Sequence, residues 1–149
     1  MAKIVGVCTS DKKGEKKHDI REGVLKKNYG LVGDAHACPE WHRQLSMLGT
    51  SSIDKMTKLG ADVASGSFAE NLTVQDDEFK LYELPVGTQM RIGKNILVEV
   101  TQIGKECHAH CAIFQQVGTC VMPVEGIFVR ILKGGTVRAG DEVKLVKAG

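Results

Sequence analysis

Gln89-Met90-Arg91-Ile92-Gly93-Lys94-Asn95-Ile96-Leu97-Val98-Glu99-Val100-Thr101 reads as a β-hairpin, and this stretch decides the fold class. Aliphatic and β-branched residues dominate both arms, and Gly93-Lys94-Asn95 supplies the reversal between them. A turn at Leu84-Pro85-Val86-Gly87 precedes the hairpin, and residues 95–103 form the clearest strand of the chain. Working outward, residues 3–9, 44–48, 68–74, 127–132 and 142–146 repeat the same signature of short β-branched runs bounded by turn residues. Gly134-Gly135 and Gly140-Asp141 join the last of them. The chain is therefore expected to be mainly β. Its short, closely spaced strands favour a closed or partly closed β-barrel over a sandwich, by a small margin that the pattern alone does not settle.

One or two short helices are expected beside the strands. Ser51 is placed to cap the first, with Asp54 three residues on, and Ile53, Met56 and Leu59 fall at helical spacing before Gly60 stops it. A second is expected over residues 112–117. The polar run from Ser10 to Lys17 reads as a solvated loop; alternatively, Lys13-Gly14 offers an ammonium beside a backbone that can approach a phosphate closely.

A chain of 149 residues with 42% hydrophobic content suffices for one buried core, so a single domain over residues 1–149 is expected. The opening MAKIVGVCTSDKKGEKK lacks the apolar core of a signal peptide, and no run approaches membrane-spanning length; a soluble cytoplasmic protein follows as the expectation. Five cysteines at irregular spacing suit reduced thiols better than a disulfide framework. A net charge of +2 and an aromatic content of 5% argue against nucleic-acid binding while leaving room for a small anionic ligand.

Reactive side chains concentrate in two places. Cys107-His108-Ala109-His110-Cys111 packs two cysteines and two histidines into one short segment, which suits either a transition metal or a transferable sulfur. Gly33-Asp34-Ala35-His36-Ala37-Cys38-Pro39-Glu40-Trp41-His42-Arg43-Gln44 forms the second cluster. His36, Cys38 and His42 are zinc-type ligands, yet their spacing matches no familiar closed zinc site. Asp34 suits a turn cap or a carboxylate that fixes an imidazole tautomer, His36 a buried histidine, and Arg43 an ordinary salt bridge.

These residues resemble the MOSC domain, the family named from the carboxy-terminal domain of the molybdenum cofactor sulfurases. Gly33-Asp34-Ala35-His36-Ala37 with Trp41-His42-Arg43-Gln44 is similar to its glycine-aspartate-x-histidine block. Gly66-Ser67-Phe68-Ala69-Glu70-Asn71-Leu72 is similar to its glycine-x-phenylalanine-x-glutamate-asparagine-leucine block, and residues 104–141 to its cysteine and closing blocks. The order and spacing of the blocks carry the likeness, which is strongest to small stand-alone prokaryotic members.

The resemblance implies a β-barrel with a pocket for molybdenum cofactor, a pterin dithiolene bearing an anionic phosphate. Cys111 matches the motif cysteine, as metal ligand or persulfide carrier. Cys107 then reads as a resolving thiol or second ligand, or else as a structural residue, while Cys8, Cys38 and Cys120 read as structural. The resemblance further implies that Lys13 and Arg43 meet the phosphate, that Asn71 bonds the pterin edge, and that His36 belongs to the cofactor-binding set. Glu70 is left open, with a buried arginine as its bland partner. The function implied is that of a carrier or sulfur-delivery module, partnered by a molybdoenzyme or a sulfur donor. Its alternatives are a molybdenum-dependent reductase of N-hydroxylated substrates with an external electron donor, and a non-catalytic module with incidental zinc.

Overall fold

The computed structural model describes residues 2–10, 17–34, 37–39, 42, 44–60, 63, 65–66, 70–76, 79–104 and 125–147. The hairpin forms as expected, from β7 (Gln89–Ile92) and β8 (Ile96–Ile103), with Ile92 opposite Ile96 and Gly93 at a φ of 62°. Alternation gives β8 its inner row of Ile96, Val98 and Val100, all buried, which meets Ile92 and Met90 from β7. β9 (Ile127–Lys133) pairs with the other edge of β8, and the ladder shifts register between Leu97 and Val98 and again between Val100 and Gln102. Such shifts bend and twist a sheet.

β1 (Lys3–Thr9), β2 (His18–Asp19), β5 (Leu45–Gly49), β6 (Leu72–Gln75) and β11 (Val143–Lys147) complete a mixed eight-stranded sheet in the order β11-β7-β8-β9-β5-β6-β1-β2. Only β5 and β6 run parallel, and helix α1 (Thr50–Lys58) lies in the connection between them. β5 is buried along its whole length, as a strand covered on both faces must be. A second, three-stranded sheet has the order β10-β3-β4, from β3 (Glu22–Lys26), β4 (Gly30–Leu31) and β10 (Gly135–Arg138). The core cluster draws on both sheets, with Leu25, Leu31 and Val137 joining Ile4, Leu45, Met47, Val98 and Ile131.

The chain entering β11, at one end of the large sheet, approaches β1, the strand next to its other end. Residues 140–143 bond to the start of β1, with Ile4 N–H donating to the Asp141 carbonyl at 2.7 Å, Gly140 to Ile4 at 2.6 Å and Val143 to Ala2 at 2.9 Å. The pairing there amounts to one isolated bridge, Lys3 with Glu142, and not to a ladder between β11 and β1.

Several local expectations need correction. Helix α1 starts one residue before Ser51, and neither Ser51 nor Asp54 caps it. The cap comes from Asp76, just past β6: Oδ1 accepts the Ser51 N–H at 3.1 Å and Oδ2 the Ser51 hydroxyl at 2.9 Å. Gly49, the residue at the cap, lets that carboxylate in, because a Cβ there would collide with Asp76. Leu59 does not continue the buried stripe of Ile53 and Met56; it closes the helix and is exposed. The strand expected over 68–74 begins only at Leu72, since Glu70 and Asn71 are irregular. Gly135, read as part of a turn, opens β10. The second helix expected at 112–117 lies outside the described residues; the described ones include α1 and a 3-10 turn at Leu81–Glu83.

Candidate functional site

Val7, Leu72, Met47, Ile127 and Ile103 form one continuous cross-strand row through β1, β6, β5, β9 and β8. The segments to which the sequence assigns chemistry leave or enter the sheet within three residues of this row. Ser10 leads toward Lys13, Gln44 follows Arg43, Glu70 and Asn71 precede Leu72, and Gly104 leads toward Cys107 and Cys111. Lys13, His36, Arg43, Cys107 and Cys111 themselves lie outside the described residues, as do His108, His110 and Cys120. What the structure assigns is the framework that holds their ends.

Asn71 is the expected site residue that the structure describes. It is buried and stitches three strands together. Its Oδ1 accepts from the Ser46 amide at 3.0 Å and the Ser46 hydroxyl at 3.2 Å, while Nδ2 donates to the Cys8 carbonyl at 3.1 Å. Its main chain bonds the same two residues: Asn71 N–H to the Ser46 carbonyl at 3.0 Å, and Cys8 N–H to the Asn71 carbonyl at 2.6 Å. With both oxygen lone pairs engaged, any bond from this side chain to a pterin edge is restricted to one Nδ2 hydrogen.

Beside it lies a group of buried polar side chains. Lys17 reaches Asp34 with a Nζ–Oδ1 distance of 2.6 Å, both side chains at 1% exposure or less, and donates to the Ser10 hydroxyl at 3.1 Å. The same Asp34 oxygen accepts from the Ser10 amide and the Thr9 hydroxyl, each at 3.2 Å. The solvated loop read over residues 10–17 is thus corrected at both ends, because Ser10 and Lys17 are buried. Lys17 had no role in the sequence reading, where it looked like the last charge of a solvated run. A signal was nevertheless present in the glycine-aspartate pair at 33–34: a buried aspartate requires a cation or several donors.

Glu70 is fully buried and accepts from the Thr73 hydroxyl at 2.8 Å. Cys8 is buried nearby, and burial first, then the Glu70 and Asp19 carboxylates, push its thiol up to about 12, with Lys17 opposing. A thiol held protonated at neutral pH is a poor metal ligand and nucleophile, so Cys8 behaves as the small structural residue expected. Cys38 is half-buried, its N–H bonded to the Tyr29 carbonyl at 2.9 Å.

His42 belongs to the far side of this region. Its Nε2 lies 2.7 Å from Gln102 Oε1, and its carbonyl accepts from the Thr101 hydroxyl at 2.7 Å. These bonds bring the residue before Arg43 onto the end of β8, where the segment containing Cys107 and Cys111 begins. Gln44 anchors the same stretch from below, donating to Asn28 Oδ1 at 2.9 Å and accepting from Ile131 N–H at 3.1 Å. The far end of the cysteine segment is tied as well: Gly104 N–H donates to the Gly126 carbonyl at 2.6 Å, and Glu125 takes Ser52 at 2.6 Å and Lys55 at 2.9 Å.

As a test of fit to a soft metal and an anionic pterin, the described side chains serve as scaffold. Asp34 is neutralised by Lys17, Asn71 is held by Ser46 and Cys8, and Cys8 is protonated. Among the described residues no three His, Cys, Asp or Glu side chains lie close enough to hold a metal ion. The Cys107–Cys111 run, Lys13, His36 and Arg43, which the sequence offers as donors, lie outside the described residues, and the framework described holds residues near them in the chain. Among the described residues no helix is long and apolar enough to cross a membrane.

Comparison with known proteins agrees with this arrangement. Residues 25–144 match the family model of the MOSC domain. The YuaD protein from Bacillus subtilis, 16% identical, superimposes with a TM-score of 0.78 over 97% of this chain and 96% of that one. YiiM from Geobacillus stearothermophilus, 15% identical, gives 0.67 over 99% of this chain and 76% of that one. YiiM from Escherichia coli, 20% identical, gives 0.66 over 100% and 71%. At these identities the likeness is one of fold. No curated protein sequence matches significantly.

Proposed function

Since the chain belongs to the MOSC domain family, we propose that it binds molybdenum cofactor as a carrier or sulfur-delivery module for molybdoenzymes. The family match over residues 25–144 carries the proposal, because it spans both reactive clusters. Cys111 is the residue assigned to the metal or to a persulfide, with Cys107 as its resolving partner or second ligand. Lys13 and Arg43 offset the phosphate charge, and His36 and Asn71 complete the cofactor-binding set. The bound cofactor would supply a thiolate-ligated molybdenum, a soft centre that a cysteine can complete. The chain's own part is to place a thiolate, cationic groups and hydrogen-bond donors around it. A cytoplasmic setting and a molybdoenzyme or sulfur-donor partner belong to the same proposal.

The finer architecture proposed is a single domain whose large sheet is partly closed into a barrel. The backbone bonds from residues 140–143 to residues 2–4 support closure by bringing the last strand against the first.

Molybdenum and cyanolysable sulfur per protein, measured after expression in a cofactor-competent host, test the function. Cys111→Ser should lose both, with thermal stability nearly unchanged, and Cys107→Ser should be milder. Full retention of both by Cys111→Ser would refute the assignment.

A further inference from the structure

Three separated pieces of chain converge on Lys17. Its ammonium joins Asp34 and Ser10, and its main-chain N–H donates to the Gly66 carbonyl at 2.9 Å. Gly66 has a φ of 89°, and a Cβ there would collide with the Lys17 carbonyl, so the approach is one that only glycine permits. The three pieces are the strand end leading toward Lys13, the turn leading toward His36 and Arg43, and the turn leading toward Glu70 and Asn71. A desolvated lysine–aspartate pair costs several kcal/mol of hydration per ion, and apolar side chains of similar volume often serve stability as well. Its retention therefore calls for something besides stability, and fixed geometry is what directional charge-assisted bonds supply and apolar contacts do not.

We propose that Lys17 and Asp34 are positioning residues, a buried ion pair that locks the ends of these three segments at the spacing an anionic ligand requires. The proposal rests on the reading that Lys13 and Arg43 meet the cofactor's phosphate. Asp34 holds the main chain at Ser10 directly, and the Lys17 side chain anchors to Asp34 and Ser10 the stretch of main chain that bonds Gly66, so removing the pair breaks the side-chain ties and leaves the Gly66 bond without its anchor.

The test compares the parent with the double variant Lys17→Met/Asp34→Leu, which removes both charges and leaves no uncompensated ion. Three readouts are taken: thermal stability, the dissociation constant for inorganic phosphate by 31P NMR titration, and amide hydrogen exchange at Ser10 and Lys17. The Ser10 N–H donates to Asp34 and loses that acceptor in the variant, whereas the Lys17 N–H donates to the Gly66 carbonyl, which the variant keeps, so exchange at Lys17 reports the lock itself. The expected result is a melting point lowered only as far as the lost Ser10 and Thr9 hydrogen bonds account for, a phosphate dissociation constant raised about ten-fold, the usual scale for losing an outer support, and faster exchange at both amides. A double variant that binds phosphate as the parent does, with unchanged exchange at Lys17, would overturn the positioning role and leave the pair structural. If the parent itself does not bind phosphate, the anion reading fails, and the lock is decided by exchange alone. If the double variant does not fold, the parent decides: phosphate should slow exchange at Ser10 and Lys17, and no change counts against the lock.

Discussion

The hairpin of β7 and β8 and the junction around Lys17, Asp34 and Asn71 are both buried, yet they are held together by different physics. In the hairpin, Met90, Ile92, Ile96, Val98 and Val100 interlock through apolar contact, which is non-directional and tolerates exchange of one aliphatic shape for another. At the junction, buried stability depends on donors meeting acceptors at 2.6–3.2 Å, and each group is costly if its partner is lost. The difference teaches that a sheet can be sturdy where it is greasy and well defined where it is polar. In this chain the well-defined end borders the segments with the reactive side chains.

The sharpest way to break this contrast is to strip one charge from the junction. Lys17→Met leaves the Asp34 carboxylate buried without its cation, and urea unfolding should record a loss of about 3–5 kcal/mol. Wild-type stability in that variant would mean that Asp34 is well compensated by its other partners, Thr9 and Ser10 among them. Asn71→Ala comes next. It strands the Ser46 N–H and the Cys8 carbonyl, and a loss of about 3 kcal/mol is expected, against about 1 kcal/mol for Ile92→Val in the hairpin. Equal losses at the two positions would erase the distinction.

Cys8 sharpens the comparison through pH. An unfolded chain releases this proton near its ordinary value of 9.0, whereas the folded chain keeps it to about 12, so between those values the unfolded state binds fewer protons. Stability from Cys8 is therefore complete below about pH 9 and falls as pH rises toward 12, at up to about 1.4 kcal/mol per pH unit. Thermal melts of the parent and Cys8→Ala across that window should diverge, with the parent showing the steeper decline. The smallest effect belongs to the hairpin side, where Arg130 and Glu99 form a cross-strand pair at 2.9 Å that is largely open to water. Arg130→Ala should cost about 0.5 kcal/mol and less in high salt, by the same unfolding assay.

The elements legible in the sequence are those whose pattern repeats locally. β1 and β7 match their expected bounds, and β8, β9, β5 and β11 deviate by a residue, since a short apolar run bounded by turn residues is written in consecutive positions. β2 and β4 have two residues each, too short to show any period, and β3 ends in charged residues on both sides, so none of these was read. β10 hid behind Gly134 and Gly135, taken for a turn; Gly134 is needed instead because a Cβ there would collide with the Leu25 carbonyl on β3.

Composition and spacing by themselves determined a mainly β chain and the helix after β5, and the motif blocks were legible as a resemblance to the MOSC family, because each is written in neighbouring residues. Only the tertiary structure decided that Asp76 caps α1 from 25 residues away, that Lys17 is buried against Asp34 across 17 residues, and that Asn71 spends its carbonyl oxygen on Ser46. A short side chain's hydrogen bond carries no periodicity, and its partner is set by which strands lie side by side, which the chain decides only after it has folded.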